Sequence, residues 1–213
     1  MKCDKKDLLL YGVTDRTWLD GRDLADVVEQ SILGGVTMVQ LREKDLAHDA
    51  FLEEARRIGQ ICRRHGVPFL IDDDVELAAA VGADGVHVGQ HDMEAGMARA
   101  KVGPDMLLGV SAQTVEQALL AQARGADYLG VGAVFPTGSK DDAEDVGIDT
   151  LKAICAAVNI PVIAIGGIGP QNVANLNGSG VCGIAVISAI FAQQDITAAT
   201  KQLRTLTERM TEQ

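Results

Sequence analysis

Gln40, Arg42 and Lys44 occupy alternate positions of the run VQLREKD (39–45). In a strand, alternate side chains share one face, so this spacing aims an amide, a guanidinium and an ammonium in one direction. A buried unpaired charge is costly, and two together are worse. That face is therefore open to water or made for an anion. Arg42 is always charged and forks onto phosphate oxygens, while Lys44 is a compact point charge. Farther along, Asp73 and Asp92 follow two short apolar runs, PFLIDD and DGVHVG, that read as neighbouring strands. Carboxylates at adjacent strand ends can reach one ion together, and magnesium takes such hard oxygen ligands alongside waters and substrate phosphates. Cations beside a carboxylate pair suit a diphosphate–magnesium complex. They also suit a salt-bridge network that stiffens a rim, Arg42 and Lys44 pairing with Asp73 and Asp92.

The elements that must position these groups recur along the chain. LLLYGVTD, TMVQLRE, PFLIDD, DGVHVG, LLGVSA, YLGVGAV, PVIAIGG and GIAVISA are eight apolar runs rich in Val, Ile and Leu. Stretches of helical spacing such as HDAFLEEARRIGQICRRHG and TVEQALLAQARG lie between them. Glycines at 35, 66, 82, 125 and 180 stand where a left-handed helix C-cap is expected before the next strand. Near-continuous apolar strands are covered on both faces, and strand–helix alternation means parallel crossovers. Eight such units in 213 residues, with no linker or composition shift, predict one (β/α)8 TIM barrel domain over 1–213. A doubly wound open sheet is the alternative, and the strand count favours closure.

In such a barrel the chemistry sits where strands run into helices. Sorting polar residues by that rule collects Gln40, Arg42 and Lys44 after strand two, and Asp72 and Asp73 after strand three. Gln90 and Asp92 follow strand four, and Ser111 and Gln113 follow strand five. Strand six leads into a thirteen-residue loop, FPTGSKDDAEDVG, long enough to close over a ligand and carrying Lys140. After strand seven, IGGIG (165–169) leaves the backbone bare at Gly166, Gly167 and Gly169. Ser188 opens the last helix. Main-chain N–H groups of a glycine-rich turn and a helix start can surround a phosphate, although glycines also serve tight turns. The pattern predicts two anion sites facing each other across one mouth.

Composition excludes other classes. Hydrophobic residues make up 47% and charged residues 23%, a globular balance. A formal charge of −11 argues against nucleic acid or an anionic membrane as partner, so any anion site is a local concentration of Arg and Lys. The lysines near the N-terminus are interrupted by Asp7, and the apolar stretch beside them is too short for a signal peptide. No segment approaches a membrane span. Cys3, Cys62, Cys155 and Cys182 are scattered without metal spacing, which predicts reduced thiols in a cytoplasmic protein, two of them on helical faces. Ser-His-Asp order, GxSxG and HExxH are absent. His48 and His65 flank a helix and read as solvated, His91 has no second imidazole nearby, and His87 is expected to line the pocket. With no dedicated nucleophile or general base, the leaving group does the difficult part of the reaction.

LYGVTD, VQLREKD, IDDD, DGVHVGQHD, GVSAQT, GAVFPTGSKDD, IAIGGI and VISAI, in that order, resemble the thiamine-phosphate synthase family over nearly the whole chain. Such enzymes join hydroxymethylpyrimidine diphosphate to thiazole phosphate with magnesium and release pyrophosphate, and the family suggests a homodimer. The resemblance implies that Gln40, Arg42, Lys44, Asp72, Ser111 and Lys140 hold the pyrimidine diphosphate, with Leu41 and Glu43 inside the same run. It implies magnesium on Asp73 and Asp92. Thr137, Gly138, Ser139, Gly167, Ile187 and Ser188 would hold the thiazole phosphate, and Arg42, Lys44, Ser111 and Lys140 would act in catalysis.

Two positions depart from the family pattern. Relatives usually carry asparagine where this chain has Asp72, and often histidine where it has Gln113. A second carboxylate beside a diphosphate repels it unless it is protonated, turned away or engaged by a cation. Two rival functions share the barrel. A thiazole tautomerase, an isomerase, has no use for a magnesium–diphosphate half-site. A non-catalytic sensor of a phosphorylated metabolite needs only one of the two anion sites.

Overall fold

The computed structural model describes residues 3–137 and 146–212. Eight parallel strands close on themselves: β1 (Leu10–Val13), β2 (Met38–Leu41), β3 (Phe69–Asp72), β4 (Gly85–Val88), β5 (Leu107–Ala112), β6 (Tyr128–Val131), β7 (Val162–Ile165) and β8 (Gly183–Val186). β1 pairs with both β2 and β8, with Tyr11 opposite Met38 on one side and Ala185 on the other. The open-sheet alternative is thereby ruled out.

Helices α1 (Leu24–Gly34), α2 (His48–His65), α3 (Val75–Val81), α4 (Ala95–Val102), α5 (Val115–Ala123) and α6 (Gly147–Ala157) follow the first six strands in turn. Asp23, Asp74 and Thr114 cap α1, α3 and α5, their side chains accepting from first-turn N–H groups. Gly35, Gly66 and Gly82 end α1, α2 and α3 in the left-handed region, as the sequence predicts. Gly180 does not: the seventh crossover carries a 3-10 turn at Val173–Leu176, so this glycine (φ 93°) closes a turn rather than a helix. After β8 come a single helical turn, α7 (Ser188–Phe191), and α8 (Ile196–Thr211), which packs on α1.

Alternation along the strands divides the core in two. Outward residues such as Val39, Leu41, Ile71, Val86 and Leu129 fill the layer between sheet and helices. A smaller cluster of Leu8, Tyr11, Val13, Met38, Leu70, Leu107, Tyr128, Ile163 and Ala185 fills the barrel itself. Polar residues two positions past those inward ones face the same way and end at the mouth. Gln40, Asp72 and His87 are all buried there. Among the described residues no helix is long and apolar enough to cross a membrane.

Candidate active site

Strand β2 ends at Leu41, so only Gln40 of the opening trio lies within it; Arg42 and Lys44 extend from the loop that follows. All three still turn toward the end of β3. Gln40 donates through Nε2 to Asp72 Oδ1. Arg42 donates from one terminal nitrogen to Asp15 Oδ2 at 3.0 Å, and its Nε lies 3.8 Å from Asp72 Oδ2. Lys44 Nζ donates to Asp73 Oδ2 at 2.7 Å. The Thr14 hydroxyl accepts from Arg42 N at 3.0 Å and so fixes the chain where it leaves the sheet.

Side chains of the intervening residues turn the other way. Leu41 is fully buried in the layer under the helices, and Glu43 pairs with Arg16 at 2.8 Å. Any contact of these two with a ligand at the mouth therefore runs through the main chain. Burial pushes the Glu43 carboxyl up, against the pull of Arg16.

Asp73 and Asp92 lie within hydrogen-bonding reach of each other. Asp73 adopts φ 62°, a left-handed conformation that Asp tolerates better than most residues, and its N–H donates to His87 O at 2.8 Å. Those constraints hold the residue between the end of β3 and the Asp74 cap of α3. Asp92 Oδ2 accepts from Gly89 N at 2.7 Å. Burial and hydrogen bonding to Asp73 raise the Asp92 pKa, so the two carboxylates share one spot at an electrostatic cost. Burial is the largest influence on the Lys44 ammonium and works against it, yet the hydrogen bond to Asp73 and the charges of Asp73 and Asp72 together outweigh it and the pKa is raised.

No group of three or more His, Cys, Asp or Glu residues with metal-binding geometry occurs among the described residues. Among the described residues, Asp73 and Asp92 offer a pair of hard oxygen donors. That set fits magnesium, which fills its other positions with water and substrate phosphate. Among the described residues, Arg42 lies beside Asp15 and Asp72, and Lys44 beside Asp73 and Asp92.

Ser111 sits farther round the mouth, at the end of β5. Its Oγ is 2.9 Å from His87 Nε2, and its carbonyl accepts from Gln90 Nε2 at 2.5 Å. Gln113, whose N–H donates to Gln117 Oε1 at 2.7 Å, lies at the start of the turn into α5.

Thr137, Gly167 and Ser188 line a second region with Trp18, Gly169 and Gln193, a cavity of about 590 Å3. Gly166 and Gly167 have φ 98° and 63°. A Cβ at Gly167 would stand 2.5 Å from Pro136 O, and one at Gly166 2.5 Å from Ala133 Cα. Only glycine lets the turn after β7 pass this close to the turn after β6. Ile187 precedes α7 and packs partly against the barrel interior, leaving Ser188 to open the helical turn. Gly138, Ser139 and Lys140 lie outside the described residues.

Two participants escape the strand-end sorting as applied from strand two onward. Thr14 and Asp15 follow β1 and meet the same criterion, so the signal was in the sequence. The chain of contacts through His87 depends on which residues stand side by side in the sheet, and no local pattern encodes that.

Residues 10–190 match a family described as thiamine monophosphate synthase. The thiamine-phosphate synthase of Clostridium tetani is 52% identical over 197 residues, covering 92% of this chain and 94% of that protein. The thiamine-phosphate synthase of Ruminiclostridium cellulolyticum is 48% identical over 199 residues, covering 93% and 95%. Among solved structures, the thiamine phosphate pyrophosphorylase of Pyrococcus furiosus superposes with a TM-score of 0.90 at 38% identity, covering 97% of this chain and 98% of that one.

Proposed function

The chain belongs to the thiamine monophosphate synthase family, and on that premise we propose that it is a transferase joining an aminopyrimidine methyl diphosphate to a thiazole phosphate, yielding thiamine phosphate and pyrophosphate. The observation that carries this reading is Arg42 Nε. It is a buried donor with no hydrogen-bond acceptor among the described residues, placed at the mouth beside Asp72. A rim salt bridge alone does not account for it, because an unsatisfied buried N–H of a charged group is costly. A diphosphate oxygen satisfies it.

Gln40, Arg42, Lys44, Ser111 and Lys140 bind the diphosphate, with Leu41 and Glu43 available through their main chain and Asp72 holding Gln40 and Arg42 in place. Thr137, Gly138, Ser139, Gly167, Ile187 and Ser188 bind the thiazole phosphate. Asp73 and Asp92 hold magnesium, which when bound supplies charge neutralisation to the departing diphosphate. As the methylene–oxygen bond breaks, negative charge grows on the diphosphate, where Arg42, Lys44 and Lys140 stabilise it. The electron-rich aminopyrimidine carries the cation left behind. The thiazole nitrogen then attacks with a lone pair that bears no proton, so no general base is required. Holding the two substrates face to face supplies the remaining advantage.

We read residues 1–213 as one barrel domain, supported by the unbroken ladder of eight strands. The free thiols of Cys3, Cys62, Cys155 and Cys182 support a cytoplasmic location.

Purified protein mixed with both substrates and magnesium should release pyrophosphate only when both are present. A thiazole isomerase or a metabolite sensor would release none, and that result would overturn the proposal.

A further inference from the structure

His87, Gly109 and Tyr128 stand side by side on β4, β5 and β6: His87 pairs with Gly109, and Gly109 with Tyr128. Because Gly109 has no side chain, the two rings meet across it. A Cβ there would lie 2.2 Å from Tyr128 Cζ and 2.5 Å from His87 Nδ1. Gly130, the neighbour of Ser111, clears the other edge of the imidazole, where a Cβ would stand 3.1 Å from Cε1. Through this gap runs one line of contacts. Tyr11 Oη is 3.1 Å from Tyr128 Oη, Tyr128 Oη is 3.0 Å from His87 Nδ1, and His87 Nε2 is 2.9 Å from Ser111 Oγ. The line starts in the sealed barrel interior and ends at the mouth.

We propose that Tyr128, backed by Tyr11, is a positioning residue that sets the direction of hydrogen bonding through His87, so that the Ser111 hydroxyl keeps its own hydrogen for an anionic substrate oxygen. This rests on the diphosphate reading of the mouth. Burial pushes the pKa of both tyrosines well up, so each hydroxyl keeps its proton. In one direction Tyr11 donates to Tyr128, Tyr128 donates to Nδ1, and Nε2–H donates to Ser111 Oγ. Every hydrogen is then used, and the serine hydrogen remains to be given away. If instead Nδ1 carries a proton, Tyr128 must accept it. One tyrosine hydrogen is then left with no acceptor among the described residues, inside a barrel where both rings are fully buried. An unpaired buried donor is the costlier outcome, so the first direction holds.

Nitrogen-15 NMR of the imidazoles reads the tautomer directly. The wild-type His87 signal should show a protonated Nε2 and a bare Nδ1; a proton on Nδ1 overturns the proposal. Kinetics supply the second reading. Ser111→Ala should lower kcat/KM for the pyrimidine diphosphate by about tenfold to a hundredfold, the loss of one hydrogen bond to a charged group. Tyr128→Phe, which removes only a hydroxyl, should lower it by a similar factor. The double variant should be no worse than Ser111→Ala alone, because both changes remove the same donation. Multiplying effects in a double variant that melts like Tyr128→Phe would overturn the proposal. If Tyr128→Phe does not fold, the wild-type spectrum alone decides. The tautomer does not depend on turnover, so a wild type without synthase activity would overturn the functional reading and not this one.

Discussion

Arg42 Nε lies 3.8 Å from Asp72 Oδ2 without a hydrogen bond between them, while the other oxygen of Asp72 accepts from Gln40. Asp72 therefore stands between Gln40 and Arg42, holding the one by a hydrogen bond and the other by charge. The charge of this carboxylate is directed at a guanidinium.

Asp72→Asn keeps the shape and removes a negative charge beside an anionic substrate. The KM for the pyrimidine diphosphate should stay level or fall, and the magnesium concentration for half activity should not move. A magnesium titration of both proteins checks this. A clear rightward shift in the variant would make Asp72 a metal ligand instead.

Asp92→Asn separates stability from activity. The folded protein holds Asp92 beside Asp73 against burial and repulsion, so neutralising it relieves the metal-free state. Its contact with Gly89 N survives, because an amide oxygen also accepts. The melting temperature without magnesium should hold or rise. Turnover should fall by at least about tenfold, since losing a ligand costs no less than losing the groups that support one. Lower stability with full activity at low magnesium would return the pair to a rim salt bridge.

The barrel was legible because its strands are buried on both faces and its helices are punctuated by glycine, both of which are local signals. The mouth was legible where one rule sufficed: polar residues at strand ends gathered Arg42, Lys44, Asp73, Asp92 and Ser111. The rule was also strong enough to reach Asp15, which ends the first unit as Asp73 ends the third. What no local pattern carries is register. That Gly109 lies between His87 and Tyr128 follows from sheet pairing, and that Asp72 turns toward Arg42 follows from where β2 stops, one residue short of the guanidinium.

The thiols give a pH dependence. Burial raises Cys62 from the usual value near 9.0 to about 12, leaving roughly one part in ten thousand as thiolate at pH 8, and only the thiolate reacts. A thiol reagent at pH 8 should spare Cys62 until the protein unfolds. The folded state keeps the proton that the unfolded chain gives up, so this contribution to stability is full below pH 9 and is lost as pH rises toward 12. Melting temperature should fall across that window, and less so in Cys62→Ala. Rapid labelling of Cys62 in native protein would mean that α2 opens readily from the barrel.

The division of the mouth into two anion sites has its own test. Arg42 and Lys44 lie at the end of β2, whereas Gly167 and Ser188 lie beyond β7 and β8, in turns bounding a separate cavity. Each substrate should then answer to its own half. Ser188→Ala removes one hydroxyl from the glycine-lined side and should raise the KM for thiazole phosphate by about one to two decades, corresponding to roughly 1.5–3 kcal/mol for a hydrogen bond to a charged group. The pyrimidine diphosphate KM should change little. Lys140→Ala should do the reverse, weakening use of the pyrimidine diphosphate and sparing the thiazole phosphate. Steady-state kinetics with each substrate varied at saturating levels of the other distinguish the two patterns. If both variants raised both KM values equally, the two substrates would share one anion site, and the separation seen in the fold would have no counterpart in binding.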